Sequence, residues 1–170
     1  SATSSLSQVT SPRSNTGEAK PRVKTKRAFM PSQPNKDSGL VWHLGGPVVP
    51  KPAGDGRDIH FGRTLSTVAV ADGLLYAAEI DGYLHCLDAA TGKKHWEHDL
   101  KDGTWCSPMV ADGRVYIGTD SGDILVFPHG KEKKEPAKIE MDQGIKAPPT
   151  PVGGILYLHN GTTLYAIGTK

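Results

Sequence analysis

A repeat of about forty residues is the feature that most constrains how this chain can fold. The segment 66–96 returns forty residues later with its Asp-Gly pair in place, and Tyr76 returns as Tyr116. A further shift of forty-one residues places Tyr157 at the same point of a third copy. Repeats of this length, when they contain several short strands, have the size of one propeller blade.

Each copy of the repeat is predicted to consist of short strands joined by tight turns. In the first copy, Asp72-Gly73 and Asp81-Gly82 separate apolar runs, and an Asp-Gly pair between such runs is the strongest short-range signal for a β-hairpin. A turn-rich link then leads to a run around Trp96. The four predicted strands cover residues 68–70, 74–78, 83–87 and 94–100. Four such strands make one blade.

The link between the third and fourth predicted strands carries a specific motif. Asp88, Thr91, Gly92, Lys93 and Trp96 form the pattern Asp-x-x-Thr-Gly-Lys-x-x-Trp, which resembles the tryptophan-docking motif of quinoprotein-like, or PQQ-like, β-propeller repeats. The resemblance implies that the indole packs on a glycine and on peptide planes of the next blade. These five residues are therefore the predicted structural docking motif.

Other parts of the chain match this motif less well. Cys86 stands where the family pattern opens with Ala, the second copy keeps only Gly130-Lys131, and residues 166–168 resemble the opening of a third motif. Over residues 37–170 the resemblance implies an all-β fold, a β-propeller of four-stranded antiparallel blades. The repeats amount to about three blades and closed propellers need at least four. We therefore expect an incomplete ring, the C-terminal part of a larger propeller, since an open arc leaves strand edges unpaired.

Composition divides the chain into three parts. Residues 1–36 are rich in Ser and Pro and hold seven Lys or Arg against one Glu, so we expect this basic segment to be disordered. Residues 37–65 are predicted to hold the last strand of a preceding blade, at 41–44 around Trp42, followed by a long loop. Residues 66–170 hold the propeller repeats.

Charge and hydropathy limit the partners that the chain is expected to have. The basic run 20–27 suits nucleic acid or an anionic lipid surface, but a solvated linker has the same composition, and no nucleic-acid partner is expected. No apolar run approaches 18 residues, so no membrane span is predicted. The long loop at 45–62 is the place where a partner-specific insertion is expected.

No residue pattern predicts a catalytic, cofactor-binding or metal-binding residue. Histidine never occurs as His-x-His, the strand spacing that places two ligands on one face. Several aspartates of the repeats stand beside turn glycines, where their side chains bond the local backbone. Cys86 and Cys106 could pair in an oxidising compartment or could be two buried thiols, and the sequence leaves both alternatives open.

Residues outside the repeat pattern are the candidates for binding. The tyrosines that recur at the repeat period are explained by packing between strands or blades. His60, Phe61, Arg63 and Trp105 stand apart from that pattern and fall on or near loops between strands. They are the predicted loop-face binding residues, since propellers keep their frame and vary their loops.

The resemblance implies two different functions. The favoured one is a non-catalytic scaffold that binds a protein or another ligand and needs no cofactor, similar to the propeller lipoproteins of outer-membrane assembly. It implies a periplasmic or otherwise extracytoplasmic location, with another protein or the remaining blades of a larger propeller as partner. The alternative is the C-terminal fragment of an alcohol or sugar dehydrogenase that depends on PQQ and Ca²⁺.

The alternative requires residues that this sequence does not offer. By resemblance, such dehydrogenases use a disulfide between adjacent cysteines, a metal set of Glu, Asn and Asp, and a catalytic Asp, and none of these is identifiable here. The scaffold is favoured for that reason. A propeller that serves as the sensor domain of a kinase or another enzyme is a third possibility.

Overall fold

The computed structural model describes residues 39–45 and 61–168, and the regular secondary structure of these residues consists of strands. The strands form three antiparallel sheets, which we call blades 1, 2 and 3 in chain order. Blade 1 consists of β1 (Ala69–Ala71), β2 (Leu74–Ala78), β3 (Tyr83–Asp88) and β4 (Lys94–Asp99). Blade 2 consists of β5 (Met109–Ala111), β6 (Arg114–Gly118), β7 (Asp123–Pro128) and β8 (Ala137–Glu140). Blade 3 consists of β9 (Thr150–Val152), β10 (Ile155–Asn160) and β11 (Thr163–Gly168).

The strands of each blade pair in chain order as a meander of hairpins. Asp72 and Gly73 join β1 to β2 with φ angles of 48° and 73°, and Asp112 and Gly113 repeat this turn with 50° and 69°. Two successive residues with positive φ form the type I′ turn, whose twist matches that of the flanking strands. The predicted fold class is confirmed: the described residues are all-β, with two four-stranded blades and one three-stranded blade, all antiparallel, in an unclosed propeller of about three blades.

The core of the described residues lies mainly between blades 1 and 2. Tyr76, Cys86 and Trp96 face one another across β2, β3 and β4, and all three are buried on the side of blade 1 that meets blade 2. Blade 2 contributes Val115 and Phe127, a buried pair on β6 and β7. Because side chains alternate between the two faces of a strand, the register of the strands puts all of these side chains on the faces where blades 1 and 2 meet. We call this layer seam 1–2.

Blade 3 has three strands within the described residues and is less buried than the other two. Leu158 of β10 is 2% exposed and packs toward blade 2, whereas Ile155 and Tyr157 on the other face are exposed. Tyr157 is the repeat equivalent of Tyr76, which blade 1 buries against blade 2. The exposed face of blade 3 therefore corresponds to the face through which blade 1 contacts its neighbour.

The predicted strand at 41–44 is not formed. Residues 39–45 pair with no strand, although the indole of Trp42 is held against blade 1. The outer strand of a blade needs the inner strands of the same blade to pair with. The described residues before 69 contain no such strands.

Two further predictions fall on residues that the structure does not describe. The basic segment 1–36 and residues 46–60 of the long loop both lie outside the described ranges. Within residues 39–45 and 61–168, which the structure describes, no helix is long and apolar enough to cross a membrane.

Cys86 and Cys106 are free thiols, and both are fully buried. Burial raises the pKa of both thiols, that of Cys106 to about 11. Because the thiolate is the reactive form, both side chains behave as small apolar core residues near neutral pH.

We therefore expect both thiols to be unreactive in the folded chain. Labelling with dithiobis-nitrobenzoate at about pH 8 should be slow under native conditions, and two thiols should react once guanidinium exposes them. If neither cysteine reacts after unfolding until a reductant is added, the two form a disulfide and the free-thiol assignment is wrong.

Candidate functional site

The link between β3 and β4 folds into a tight turn that is bonded to itself. The Asp88 carboxylate accepts hydrogen bonds from the Thr91 hydroxyl at 2.8 Å and from the Thr91 amide at 2.9 Å, and these bonds lower the pKa of Asp88. The Gly92 amide donates to the Asp88 carbonyl at 2.8 Å. The Asp88 amide donates in turn to the carbonyl of Lys93, whose side chain is exposed.

This turn receives the indole of Trp42. The Trp42 Nε1 donates to the Ala89 carbonyl at 3.0 Å. Gly92 has a φ of 72°, and a Cβ added there would lie 2.5 Å from Cε3 of the Trp42 ring. Glycine is therefore required at this position both for its conformation and for the close approach of the ring. The turn holds an aromatic side chain that comes from an earlier part of the chain and is not carried by a strand.

Trp96 makes the equivalent contact with blade 2. Its Nε1 donates to the Gly130 carbonyl at 3.0 Å, and Gly130 directly follows His129, the repeat equivalent of Ala89. Its ring stacks on Phe127 with 5.7 Å between the ring centroids. Blade 2 accepts the indole through a backbone carbonyl, although its sequence has lost the Asp and Thr of the motif.

Side chains from other loops and strands support this second turn in place of the lost Asp. The Gly130 amide donates to Oη of Tyr76 at 3.1 Å, and the same oxygen lies 2.8 Å from Nδ1 of His129. Burial raises the pKa of the Tyr76 phenol, so the phenol stays protonated and can donate to His129. The His129 Nε2 lies 3.2 Å from the Asp72 carboxylate. Hydrogen bonds from both blades therefore fix seam 1–2.

The opposite ends of the strands form a rim of loops. We define this loop rim as residues 61–66, 79–82, 100–107, 119–122 and 141–147. Its backbone bonds repeat between units: the Ile80 amide donates to the Arg63 carbonyl, and the Asp120 amide donates to the Gly103 carbonyl, each at 2.8 Å. Arg63 is thus the repeat equivalent of Gly103, and its backbone carbonyl takes part in a hydrogen bond that recurs between units. Its side chain is exposed.

Trp105 is an exposed aromatic side chain of the loop rim, with 51% of its surface accessible. The Nζ of Lys146 lies 5.7 Å from the centroid of its ring, within reach of a cation–π interaction, and also pairs with Asp120. Leu65, Trp105 and Lys146 occupy the same position in three successive repeats, and all three are exposed. The loop rim therefore presents an apolar and cationic row of side chains.

Phe61 packs inward and covers a buried polar cluster of blade 1. The Phe61 ring lies 5.2 Å from the ring of His85, which is fully buried. The Nε2 of His85 is 2.5 Å from the Glu79 carboxylate, and its Nδ1 is 3.3 Å from the Glu97 carboxylate. Buried polar groups need such hydrogen-bond partners, so this cluster is explained as part of the structural frame of blade 1.

The structure brings together part of the predicted loop-face set. Arg63 and Trp105 lie on the loop rim with exposed side chains, Phe61 is partly buried, and His60 lies outside the described residues. Binding through these residues stays a prediction.

Sequence reasoning missed three residues with defined roles in this arrangement. Leu65 and Lys146 accompany Trp105 at its repeat position, and the repeat offset would have identified them. His129 supports the Trp96 contact, but no sequence pattern signals it, because it acts through the three-dimensional approach of Tyr76 and Asp72.

The described residues do not fit a quinone cofactor with its metal. Among residues 39–45 and 61–168, no three side chains of His, Cys, Asp or Glu converge in a way that could hold a metal ion. The two cysteines are separate and free, not adjacent and paired. No described residue is therefore assigned to PQQ or Ca²⁺.

Three antiparallel blades at a repeat of about forty residues, with tryptophans docked on turns of neighbouring segments, define part of a PQQ-like β-propeller. A family model described as outer membrane protein assembly factor BamB matches residues 35–167, so the chain belongs to this family.

The chain is similar to parts of longer proteins. It is 42% identical to an outer membrane protein assembly factor BamB from Xanthomonas campestris, in a match that covers 35% of this chain and 17% of that protein. The crystal structure of BamB from Moraxella catarrhalis superposes with a TM-score of 0.50 at 19% identity, covering 60% of this chain and 31% of that one.

A quinohemoprotein alcohol dehydrogenase from Comamonas testosteroni also superposes with a TM-score of 0.50, at 21% identity, covering 59% of this chain and 18% of that one. At these identities the structural matches show a shared fold. The chain spans less than a third of the length of each of these three relatives.

Replacing Trp96 by alanine should destabilise the fold by roughly 3–5 kcal/mol, because it removes a large buried side chain that the neighbouring blade cannot replace. Trp105→Ala is the matched control, since Trp105 is half-exposed and its loss should cost less than about 1 kcal/mol. Urea unfolding followed by circular dichroism measures both values. A cost below about 1 kcal/mol for Trp96→Ala would contradict the docking role.

Proposed function

We propose that this chain is part of a non-catalytic β-propeller scaffold that acts in the assembly of outer-membrane proteins. It binds a protein partner through the loop rim and works outside the cytoplasm, in the periplasm. The family match over residues 35–167 is the observation that carries this proposal. Two relatives of different organisms, from Xanthomonas campestris and Moraxella catarrhalis, bear the name of the assembly factor BamB.

The loop rim supplies the chemistry for a protein partner. Trp105 offers a large aromatic surface whose indole is held beside Lys146, so little conformational freedom remains to be lost on binding. Tryptophan is enriched among the residues that dominate binding energy at protein interfaces. Leu65 is a second exposed apolar side chain of the loop rim, and the Lys146–Asp120 pair supplies a polar border beside Trp105.

The exposed face of blade 3 is proposed to contact further blades of a larger propeller. Ile155 and Tyr157 lie on that face, and the equivalent face of blade 1 is buried in seam 1–2. Strand edges and apolar faces of this kind are covered in stable propellers.

A dehydrogenase is not favoured by any contact among the described residues. The quinohemoprotein neighbours share the propeller fold at 21% identity, and the described residues offer no converging metal ligands. Because the same fold serves many functions, the residues of the site, and not the fold, distinguish a scaffold from a dehydrogenase.

Complementation tests the proposal. The protein that carries this chain is expressed in a bacterium that lacks its own BamB-family assembly factor, and folded outer-membrane β-barrel proteins are measured by their heat-dependent shift in gels. We expect the protein to restore much of the lost folded material. Trp105→Glu should abolish most of this restoration, because it removes the aromatic surface and places a carboxylate at the centre of the proposed contact.

The matched control is Val41→Glu, which also introduces an acid at an exposed apolar side chain but lies away from the loop rim. This variant should restore folded proteins as well as the unchanged chain does. A stable, periplasmic protein that restores nothing would contradict the assembly function. Equal restoration by Trp105→Glu would leave assembly standing and overturn the loop rim as the binding surface.

A further inference from the structure

The seam between blades 2 and 3 lacks the indole that fills seam 1–2. In blade 1, Trp96 of β4 lies opposite Cys86 of β3. In blade 2, Ala137 of β8 lies opposite Val126 of β7 at the equivalent register. Ala137 therefore stands where a docking tryptophan would be, and its methyl group cannot reach across to blade 3.

A cavity of about 530 Å³ lies at this position. Its walls are mainly apolar and include Tyr116, Val126, Ala137 and Ile139 of blade 2 and Leu156 of blade 3. Tyr116 and Leu156 also line a second cavity of about 280 Å³ in the same seam. Tyr116 and Val126 are the repeat equivalents of Tyr76 and Cys86. In seam 1–2, Tyr76 packs against the Trp96 ring and Cys86 lies opposite Trp96.

Trp42 shows that the chain can fill such a position from outside a blade. Residues 39–45 form no strand, yet the Trp42 indole is docked on the turn of blade 1 by one hydrogen bond and by close packing on Gly92. A docked indole can therefore come from residues that form no strand within the described chain.

The charges around the cavity favour an acidic segment. Arg114 and Glu135 are the two charged residues that line the cavity, and Arg114 is exposed and forms no ion pair with another described residue. Pro128 lines both the cavity and a neighbouring surface that contains Lys131, Glu132 and Lys134. With Lys133, and with Asp112 of the second cavity, four cations stand against three acids in this region, so its net charge is positive. Charges of this sign steer an acidic partner toward the cavity.

We propose that the seam between blades 2 and 3 is a docking site for a tryptophan side chain on an acidic, extended segment of a protein partner. The indole takes the place that Trp96 takes in seam 1–2, against Tyr116, Val126 and Ala137. Acidic residues beside that tryptophan pair with Arg114 and with the lysines at 131–134. This site is separate from the loop rim and does not depend on it.

The binding test uses a fluorescein-labelled probe peptide, acetyl-Asp-Glu-Trp-Glu-Asp, and fluorescence anisotropy with the whole chain. We expect saturable binding that weakens about tenfold or more when the tryptophan of the probe is replaced by alanine. A probe with lysines in place of the acids should also bind more weakly. Absence of saturable binding, or equal binding of the alanine probe, would overturn the proposal.

Ala137→Trp supplies the missing indole from the chain itself. It should weaken binding of the probe about tenfold or more and raise the melting temperature, because the cavity is filled. The matched control is Val41→Trp, at an exposed apolar side chain outside the three blades, which should leave binding unchanged. Equal binding by Ala137→Trp and the unchanged chain would show that the probe binds elsewhere.

Arg114→Glu tests the site without altering the volume of the core, and keeps the proposal testable if Ala137→Trp does not fold. Binding of the acidic probe should weaken and binding of the lysine probe should strengthen. No change in the binding of either probe would contradict the proposed charge contact.

Sedimentation of the unchanged chain tests whether the seam is occupied by a second copy of the chain. A dimer that Ala137→Trp dissociates would assign the seam to a second copy of the chain and overturn the assignment to a partner.

Discussion

The docking of a tryptophan on the turn of a neighbouring segment is the interaction on which the arrangement of the blades depends. A blade is a short meander with two apolar faces, and it is stable only when another element covers them. Trp96 reaches from blade 1 to the Gly130 carbonyl of blade 2, and Trp42 reaches from residues 39–45 to the Ala89 carbonyl of blade 1. The same kind of contact is thus made twice, once between residues 39–45 and blade 1 and once between blades 1 and 2.

The residues that make this contact and the residues proposed to bind a partner lie at opposite ends of the strands. The turns that accept indoles, at 88–93 and around Gly130, lie at one end of the strands, and their residues are used in packing. The loop rim lies at the other end, where Trp105 and Lys146 are held in place yet remain exposed. A rigid frame that presents aromatic side chains at one end has little conformational entropy to lose when a partner binds. The proposed scaffold role follows from this division.

Local signals in the sequence were sufficient to predict the strands and the blade. The Asp72-Gly73 and Asp112-Gly113 turns adopt the expected hairpin geometry, because each preference there is local. Features that depend on distant contacts could not be predicted. Residues 41–44 form no strand, since the described residues before 69 hold no inner strands for them to pair with, and the role of His129 arises from Tyr76, fifty-three residues away. The cavity beside Ala137 is the consequence of a missing side chain, which no motif search detects.

The central claim is that an indole in the seam decides how firmly two blades hold together. Hydrogen exchange of backbone amides, followed by mass spectrometry on the whole chain, tests this claim most directly. Amides of β2, β3, β6 and β7, which flank the filled seam 1–2, should exchange slowest, and those of β10 and β11 beside the cavity should exchange much faster. Equal protection of β10 and β11 would show that the blades hold together without the tryptophan contact and would contradict this account.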